Sequence, residues 1–392
     1  MQGCRIRLEQ IASPENLREA FLRAAKGKSH RGDVRAFRER LGEEIAALSA
    51  EILSGKVAVG RCTGFTIYEP KERRIHAPCF RERVLHHALV GPCEADFERW
   101  HIADTYACRR GKGREAAVRR AEHYARRYGW FLKVDVEKYF DSIPHAVLLA
   151  EIARRFGDAR VVALWRRIVL AYSASPGRGL PIGARTSQFL ANFYLMPVDR
   201  MVRERLKLPG YVRYMDDLAL WGERRALRQA RTEITRMLAD PLGLRMKGNW
   251  HLQPTGRGMD FLGYRILRGG SRLARASRRR FLRRWSRYER ARELGQCSDL
   301  EAQRGVGAMV AFVRTAGLET VLQRLFGPAK GLPRTDPGHR APTASTAVAV
   351  GTTTPGIAAP RTATGTRRTT ATTTSAFVPP SAHANPEDRG KD

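Results

Sequence analysis

Two adjacent carboxylates, Asp216 and Asp217, follow Tyr214-Met215 and lie between two short apolar stretches, Tyr211-Val212-Arg213 and Leu218-Ala219-Leu220-Trp221. Apolar runs flanking a short polar segment predict a β-hairpin with both acids at its turn. Neighbouring carboxylates repel each other, and a fold tolerates them when a divalent cation sits between them. A third acid, Asp135, ends another apolar run, Phe131-Leu132-Lys133-Val134. An Asp at the end of a buried strand needs compensation, from a salt bridge or a cation. Three such carboxylates can hold two Mg²⁺ ions, with Mn²⁺ as a substitute, for an in-line phosphoryl displacement. The ligands expected are the side chains of Asp135, Asp216 and Asp217 and the backbone of Val136.

The charge balance points to the partner. The chain has 392 residues, 71 basic against 39 acidic, for a net charge of +32. Only +3 of this lies beyond residue 330 (seven basic, four acidic), so the body keeps about +29. Such an excess implies a polyanion, with nucleic acid ahead of an anionic membrane surface. No apolar run approaches the length of a spanning helix. The start, Met1-Gln2-Gly3-Cys4-Arg5, lacks the apolar core of a signal peptide. The six cysteines form no CxxC pair and no zinc-spaced Cys/His cluster, so reduced thiols in a cytoplasmic protein are expected.

Hydrophobic periodicity divides the chain. Residues 14–54 read as helical, 64–80 as two strands around Pro70, and 81–91 as a helix. Gly111-Lys112-Gly113 precedes a helix to about 127, and a strand covers 130–136. Helices are expected at 158–172, as one long element at 187–205, and to about 239 after the Asp216-Asp217 hairpin. Met259 to Ile266 reads as a second short hairpin. Ten arginines then fall between Arg272 and Arg292, interleaved with Phe281, Leu282, Trp285 and Tyr288. Their density without balancing acids favours a phosphate-tracking helix, with Arg279 and Arg283 as candidate contacts, over a merely solvated face. Residues 333–392, rich in Thr, Ala, Pro and Gly, have no apolar periodicity and read as a disordered tail.

Two further segments bear on chemistry. Phe140, five residues after Asp135, is placed to stand beside the sugar of a nucleotide, where a bulky ring excludes a 2′-hydroxyl; its other reading is an ordinary core aromatic. Gly179-Leu180-Pro181-Ile182-Gly183-Ala184-Arg185-Thr186-Ser187-Gln188 is a Gly/Pro loop feeding a helix, where glycine lets the backbone approach a base pair and its phosphates.

Taken in order, the Asp135 segment, the Leu-Pro-x-Gly loop, the Tyr-Met-Asp-Asp hairpin, Lys247 and Phe261-Leu262-Gly263-Tyr264 resemble the reverse transcriptases. The resemblance covers roughly residues 15–330. It implies an α+β right-hand polymerase: fingers within 1–130, a palm with an antiparallel sheet over 131–267, and a small basic helical thumb over 268–332. Fingers elements interleave around 145–190. Arg73, with Lys71 beside it, matches the fingers residue that contacts the incoming triphosphate. Ile182, Gly183 and Gln188 join Phe140 around the nucleotide. Lys247 matches the lysine that protonates the leaving pyrophosphate. Tyr214, Met215, Phe261 and Gly263 fall where the primer or template is held, although Tyr264 reads equally as packing.

The run from Ile182 to Asn192 narrows the branch. Most of the family has Gln after the loop Pro, and Ser-Pro where this chain has Ser187-Gln188. Here the segment resembles the reverse transcriptases of diversity-generating retroelements, as do Ile75-His76-Ala77-Pro78 and Tyr106-Ala107-Cys108-Arg109-Arg110. That resemblance implies copying of a template RNA from a DNA or RNA primer with dNTPs, errors opposite adenine, and a small basic accessory protein. Retron, group II intron and antiphage-defence reverse transcriptases remain alternatives. So does a catalytically idle RNA-binding protein on a polymerase scaffold.

Overall fold

The computed structural model describes residues 3–68, 72–298, 300–302, 305 and 307. All of them lie in the first of two compact units, Met1–Val350; the second, Gly351–Asp392, lies outside the described residues. Lys71, most of 303–332 and the 333–392 segment are therefore not placed.

Four helices open the chain: α1 (Leu8–Ala12), α2 (Pro14–Ala25), α3 (Gly32–Glu39) and α4 (Leu41–Leu53). The Ser13 hydroxyl accepts from Asn16 N at 3.2 Å, and Pro14 fills the first turn of α2, where no amide hydrogen is needed. A two-stranded antiparallel hairpin follows, β1 (Cys62–Ile67) with β2 (Arg73–Pro78). Helix α5 (Phe80–Trp100) runs nine residues beyond the expected end at 91, straight through Pro92. An interior proline costs about 3 kcal/mol. The turns beyond it bury Cys93, Phe97 and Trp100, and burying each large aromatic returns about 1.5–3 kcal/mol. Phe97 packs edge-on against Trp100, Trp165, Phe189 and Phe193.

After α6 (Arg114–Arg127) comes β3 (Trp130–Asp135), then α7 (Tyr139–Ser142), α8 (His145–Arg155) and α9 (Ala159–Leu170). The long helix expected at 187–205 is three pieces: α10 (Arg185–Tyr194), α11 (Met196–Arg200) and a π-helical turn over Met201–Arg205. Pro197 cannot donate to the preceding turn, so the ladder restarts there. Strands β4 (Gly210–Tyr214) and β5 (Asp217–Gly222) form the expected hairpin, and α12 (Arg224–Ala239) follows. Strand β6 (His251–Pro254), too short and polar to show periodicity, completes a four-stranded antiparallel sheet in the order β4-β5-β3-β6. The second hairpin gains a third strand: β7 (Met259–Phe261), β8 (Tyr264–Leu267) and β9 (Gly270–Leu273) make their own sheet. Helix α13 (Arg275–Glu293) carries the arginine run, with Phe281 buried and Arg279 and Arg283 exposed.

Strand alternation gives the four-stranded sheet two different faces. Leu132, Val134, Tyr211, Leu218 and Leu220 join the larger core, which includes Leu227, Ala230, Ile234 and Leu238 of α12. Phe131, Val212, Ala219 and Trp221 join a smaller core with α6, the β7-β8-β9 sheet and Phe281. By the same period of two, Asp135 and Asp217 belong to the face of Phe131 and Trp221, and α12 covers the opposite face. The α+β polymerase fold expected from the sequence is the observed one. No helix among the described residues is long and apolar enough to cross a membrane.

Candidate active site

Register brings the carboxylates together. Antiparallel pairing of β3 with β5 sets Asp135 directly opposite Asp217. Tyr214 pairs with Asp217, so Met215 and Asp216 form the two-residue turn between them. Met215 holds φ +57, a conformation that costs an L residue about 1–2 kcal/mol and is stored at sites where geometry matters.

Both turn acids are held far from their ordinary state. Burial pushes the Asp216 carboxyl up to about 6, and the nearby Asp135 charge adds to it; Arg73 and Arg213 oppose the shift. Burial likewise raises Asp217 to about 6, with Asp135 and Asp216 contributing and Lys133 opposing. Lys133 Nζ stands 3.4 Å from Asp217 Oδ1, yet that buried oxygen has no hydrogen-bond partner. Lys133 precedes Asp135 by two residues on the same face, a diagonal neighbour of Asp217 that the sequence reading passed over.

Lys247 arrives by backbone pairing. Lys247 N donates to Asp135 O at 2.9 Å, and Glu137 N donates to Arg245 O at 2.9 Å, making an antiparallel bridge of Val136 with Met246. Lys247 Nζ then lies 3.3 Å from Asp135 Oδ2. In such a bridge the central residue directs its own carbonyl away from the bridging strand, here to the side from which β5 approaches.

As placed, no group of three or more His, Cys, Asp or Glu among the described residues stands close enough together to hold a metal ion. Lysines stand beside two of the three carboxylates instead. A buried Asp217 oxygen and two acids raised by burial and by the neighbouring Asp135 charge are nevertheless what a divalent cation would satisfy. The donor set, all oxygen, suits Mg²⁺ or Mn²⁺.

The Gly/Pro loop is stitched to three elements. Leu180 N donates to Phe140 O at 2.8 Å and Gly179 N to Ile143 O at 2.9 Å. Arg178 Nη1 reaches Ser142 O at 2.9 Å and Gly243 O at 2.8 Å. His76 N donates to Ile182 O at 2.8 Å, which ties the loop to β2 and so to Arg73. Gly183 has φ +123, and a Cβ there would lie 2.9 Å from His76 O and 3.0 Å from Ile75 Cγ2. Gly183→Ala is therefore expected to push the loop off β2, costing about 1–3 kcal/mol. Its KM for nucleotide should rise several-fold more than kcat falls; steady-state kinetics and a thermal melt check this.

Phe140 is half-buried, its ring 5.8 Å from Tyr139. At the loop's far end, Cys108 Sγ donates to Gln188 Oε1 at 3.8 Å. The same thiol influences Tyr214, whose hydroxyl is pushed up to about 12, chiefly by burial. Gln188, Cys108 and Tyr214 thus converge.

One expectation needs correction. Phe261 is 1% exposed and Tyr264 is completely buried, both in the smaller core. Their side chains anchor a tight turn, Leu262 (φ +51) and Gly263 (φ +88), and cannot grip a primer; the partly exposed turn residues are what a strand could touch.

Arg213 was not foreseen. It is completely buried, with Nε 2.6 Å from Asp199 Oδ1 and Nη2 2.6 Å from Asp199 Oδ2. Its Nη1 donates to Asn192 Oδ1 at 2.8 Å and to Met215 O at 2.9 Å, so it grips the strained turn from behind. The signal was visible: an arginine inside the apolar stretch Tyr211-Val212-Arg213-Tyr214.

A four-stranded antiparallel sheet thus presents paired carboxylates beside a lysine and a backbone-bound Gly loop. Residues 71–266, half of the chain, match the reverse transcriptase (RNA-dependent DNA polymerase) family, and the chain belongs to that family. It is 26% identical over 321 residues to Protein YkfC of Escherichia coli, covering 68% of this chain and 84% of that protein. It is 29% identical over 133 residues to an uncharacterized 91 kDa protein in the cob intron of Schizosaccharomyces pombe, covering 32% of this chain and 16% of that one. A putative COX1/OXI3 intron 1 protein of Saccharomyces cerevisiae is 23% identical over 170 residues, 41% of this chain and 20% of that one. The chain thus spans a fifth or less of either yeast intron protein. Telomerase from Candida albicans, solved with a TWJ fragment of telomeric RNA, superposes with a TM-score of 0.42 at 10% identity, covering 54% of this chain and 46% of that one.

Proposed function

We propose that this chain copies a template RNA into cDNA in an error-prone, diversity-generating manner. The observation that carries the polymerase chemistry is the register that sets Asp135 against Asp217 with Asp216 on the adjoining turn. Asp135, Asp216, Asp217 and the Val136 carbonyl would hold two Mg²⁺ ions, which when bound would activate the primer 3′-hydroxyl and neutralise the triphosphate. Arg73 would bind the triphosphate, with Lys71 beside it. Lys247 would give its proton to the leaving pyrophosphate. The Phe140 ring would exclude a ribose 2′-hydroxyl. Arg279 and Arg283 on α13 would track the primer–template backbone, with 1–130 acting as fingers, 131–267 as palm and 268–332 as thumb.

Ile182 supports the error-prone reading. It follows the loop proline and cannot hydrogen-bond an incoming nucleotide, so a mispair loses less relative to a correct pair than it would against a polar side chain. Primer extension on a primed RNA with scattered adenines, with Mg²⁺ and dNTPs and sequencing of the cDNA, tests this. Errors are expected to concentrate opposite adenine, and Ile182→Gln is expected to lower them severalfold. Unchanged adenine errors in Ile182→Gln would remove the role given to Ile182. Faithful cDNA from the unaltered chain would favour a second reading, an intron-type reverse transcriptase, which draws support from relatives named for introns.

A further inference from the structure

Helix α12 lies on the sheet face opposite the carboxylates, and its outer side is strongly basic. Arg224, Arg225 and Arg228 are exposed, and Arg231 is partly so. Acids flank the series, Glu223 before it and Glu233 after it. Glu233 is taken up by Arg205 and Arg236. The four arginines of the series form no ion pair with a carboxylate among the described residues.

Two of these guanidiniums are held in place by indoles. Arg231 stacks over Trp250 at 4.3 Å from the ring centroid, and Arg224 stacks over Trp130 at 4.8 Å. Stacking fixes the plane of an arginine without consuming its hydrogen-bond donors. Between them lies a groove of about 390 Å³ lined by Arg224, Arg228, Gln229, Arg231, Thr232 and Trp250, together with Leu252. The volume is that of a small-ligand site. The lining offers guanidiniums for phosphate, an amide and a hydroxyl for base or sugar edges, and an Arg–Trp stack that a base can extend.

We propose that this groove binds a single strand of RNA outside the catalytic cleft, with phosphates on Arg224 and Arg228 and a base layered on Arg231. The position suits a strand of the template passing round the edge of the sheet. Trp250 is only three residues beyond Lys247, at most about 11 Å of chain, and β6 is the edge strand between the two faces. Charge decides the kind of occupant, and the aromatic-backed guanidinium plane favours unpaired bases over a lipid surface or an acidic peptide. The inference deepens the polymerase reading by naming a second hold on its RNA.

The test is equilibrium binding by the full chain carrying Arg224→Ala, Arg228→Ala and Arg231→Ala together. Fluorescence anisotropy of a labelled 30-nucleotide unstructured RNA is followed across salt concentrations. Loss of the two phosphate contacts should weaken binding on the order of tenfold or more and flatten the slope of log K against log salt by about 1.4. Extension of a primer on a template too short to leave the cleft should be unchanged, which also shows that the variant is folded. Arginine-to-lysine substitutions at the same three positions should restore the salt slope but only part of the affinity, because lysine keeps the charge and loses the stack. Unchanged affinity and slope would overturn the proposal. So would loss of binding to anionic phospholipid vesicles or to a polyglutamate peptide with RNA binding intact. The binding readout needs no polymerisation, so failure of the polymerase reading would appear separately, as absent extension by the unaltered chain.

Discussion

Asp217→Asn is expected to abolish nucleotide incorporation and, at the same time, to stabilise the metal-free protein. The two effects have one cause. Asp216 and Asp217 are half-buried beside Asp135, and both carboxyls sit near 6 where an ordinary Asp is near 3.8. A folded-state pKa above the unfolded value means that the folded chain binds more protons between about pH 4 and 6. Stability therefore falls as pH rises through that window, and at neutral pH the ionised pair opposes folding. A rise of about two units corresponds to roughly 3 kcal/mol per group, discounted because the two shifts share their cause. Asparagine keeps the shape and removes the charge that burial, Asp135 and Asp216 all oppose. The melting temperature at pH 7.5 should rise on the order of 5 °C, and the gain should vanish by pH 4. Lys133 weakens the gain without cancelling it, since the Asp217 carboxyl stays near 6 with that ammonium 3.4 Å away. Mg²⁺ should stabilise the unaltered chain and do less for the variant. Incorporation should drop by about a thousandfold or more, the scale of losing several kcal/mol of transition-state charge stabilisation. Melts at several pH values, with and without Mg²⁺, together with single-turnover extension, read all of this. A variant that is less stable than the unaltered chain at pH 7.5 would refute the electrostatic account.

What was legible in the sequence follows from what periodicity can encode. The Asp216-Asp217 hairpin, the strand bearing Asp135 and the α6 and α12 helices all carry a repeat of two or of three and four, and each appears where it was expected. Strand β6 carries no such repeat, being four residues at a sheet edge held by pairing to β3. Helix α5 outran its expected end because a local breaker, Pro92, competes against tertiary burial of Phe97 and Trp100, which no local window records. In the site, residue types and order singled out the carboxylates and Lys247 that register brings together, while contacts between distant segments did not show. Lys133 and Arg213 act through partners that register and packing bring to them. Phe261 failed in the opposite direction: an aromatic beside a Gly turn reads as a grip, and only the packing of its sheet into the smaller core with α6 reveals that it is covered.

The second large effect concerns Arg213, whose role is positional. Replacing it by methionine would leave Asp199 buried with, among the described residues, the Tyr211 hydroxyl at 2.7 Å as its remaining side-chain donor. Breaking a buried ion pair from one side costs about 3–5 kcal/mol, because the remaining charge is uncompensated. The expected result for Arg213→Met is a melting temperature lower by about 6–15 °C. That loss alone would not separate scaffold from site, so the informative variant is the double one, Arg213→Met with Asp199→Leu. Removing both charges should recover much of the stability, since apolar replacement of a buried pair is often neutral or better. Incorporation should not recover with it. Arg213 Nη1 also holds the Met215 carbonyl at 2.9 Å, and without that bond the φ +57 of Met215 loses its restraint. The turn can then relax and carry Asp216 away from Asp135, so kcat should stay at least about tenfold down with KM for nucleotide little changed, and the Mg²⁺ needed for half-maximal rate should rise. If the double variant regained activity in step with its stability, Arg213 would be a buried strut and nothing more; if stability returns and kcat does not, the strain at Met215 is being held for the chemistry.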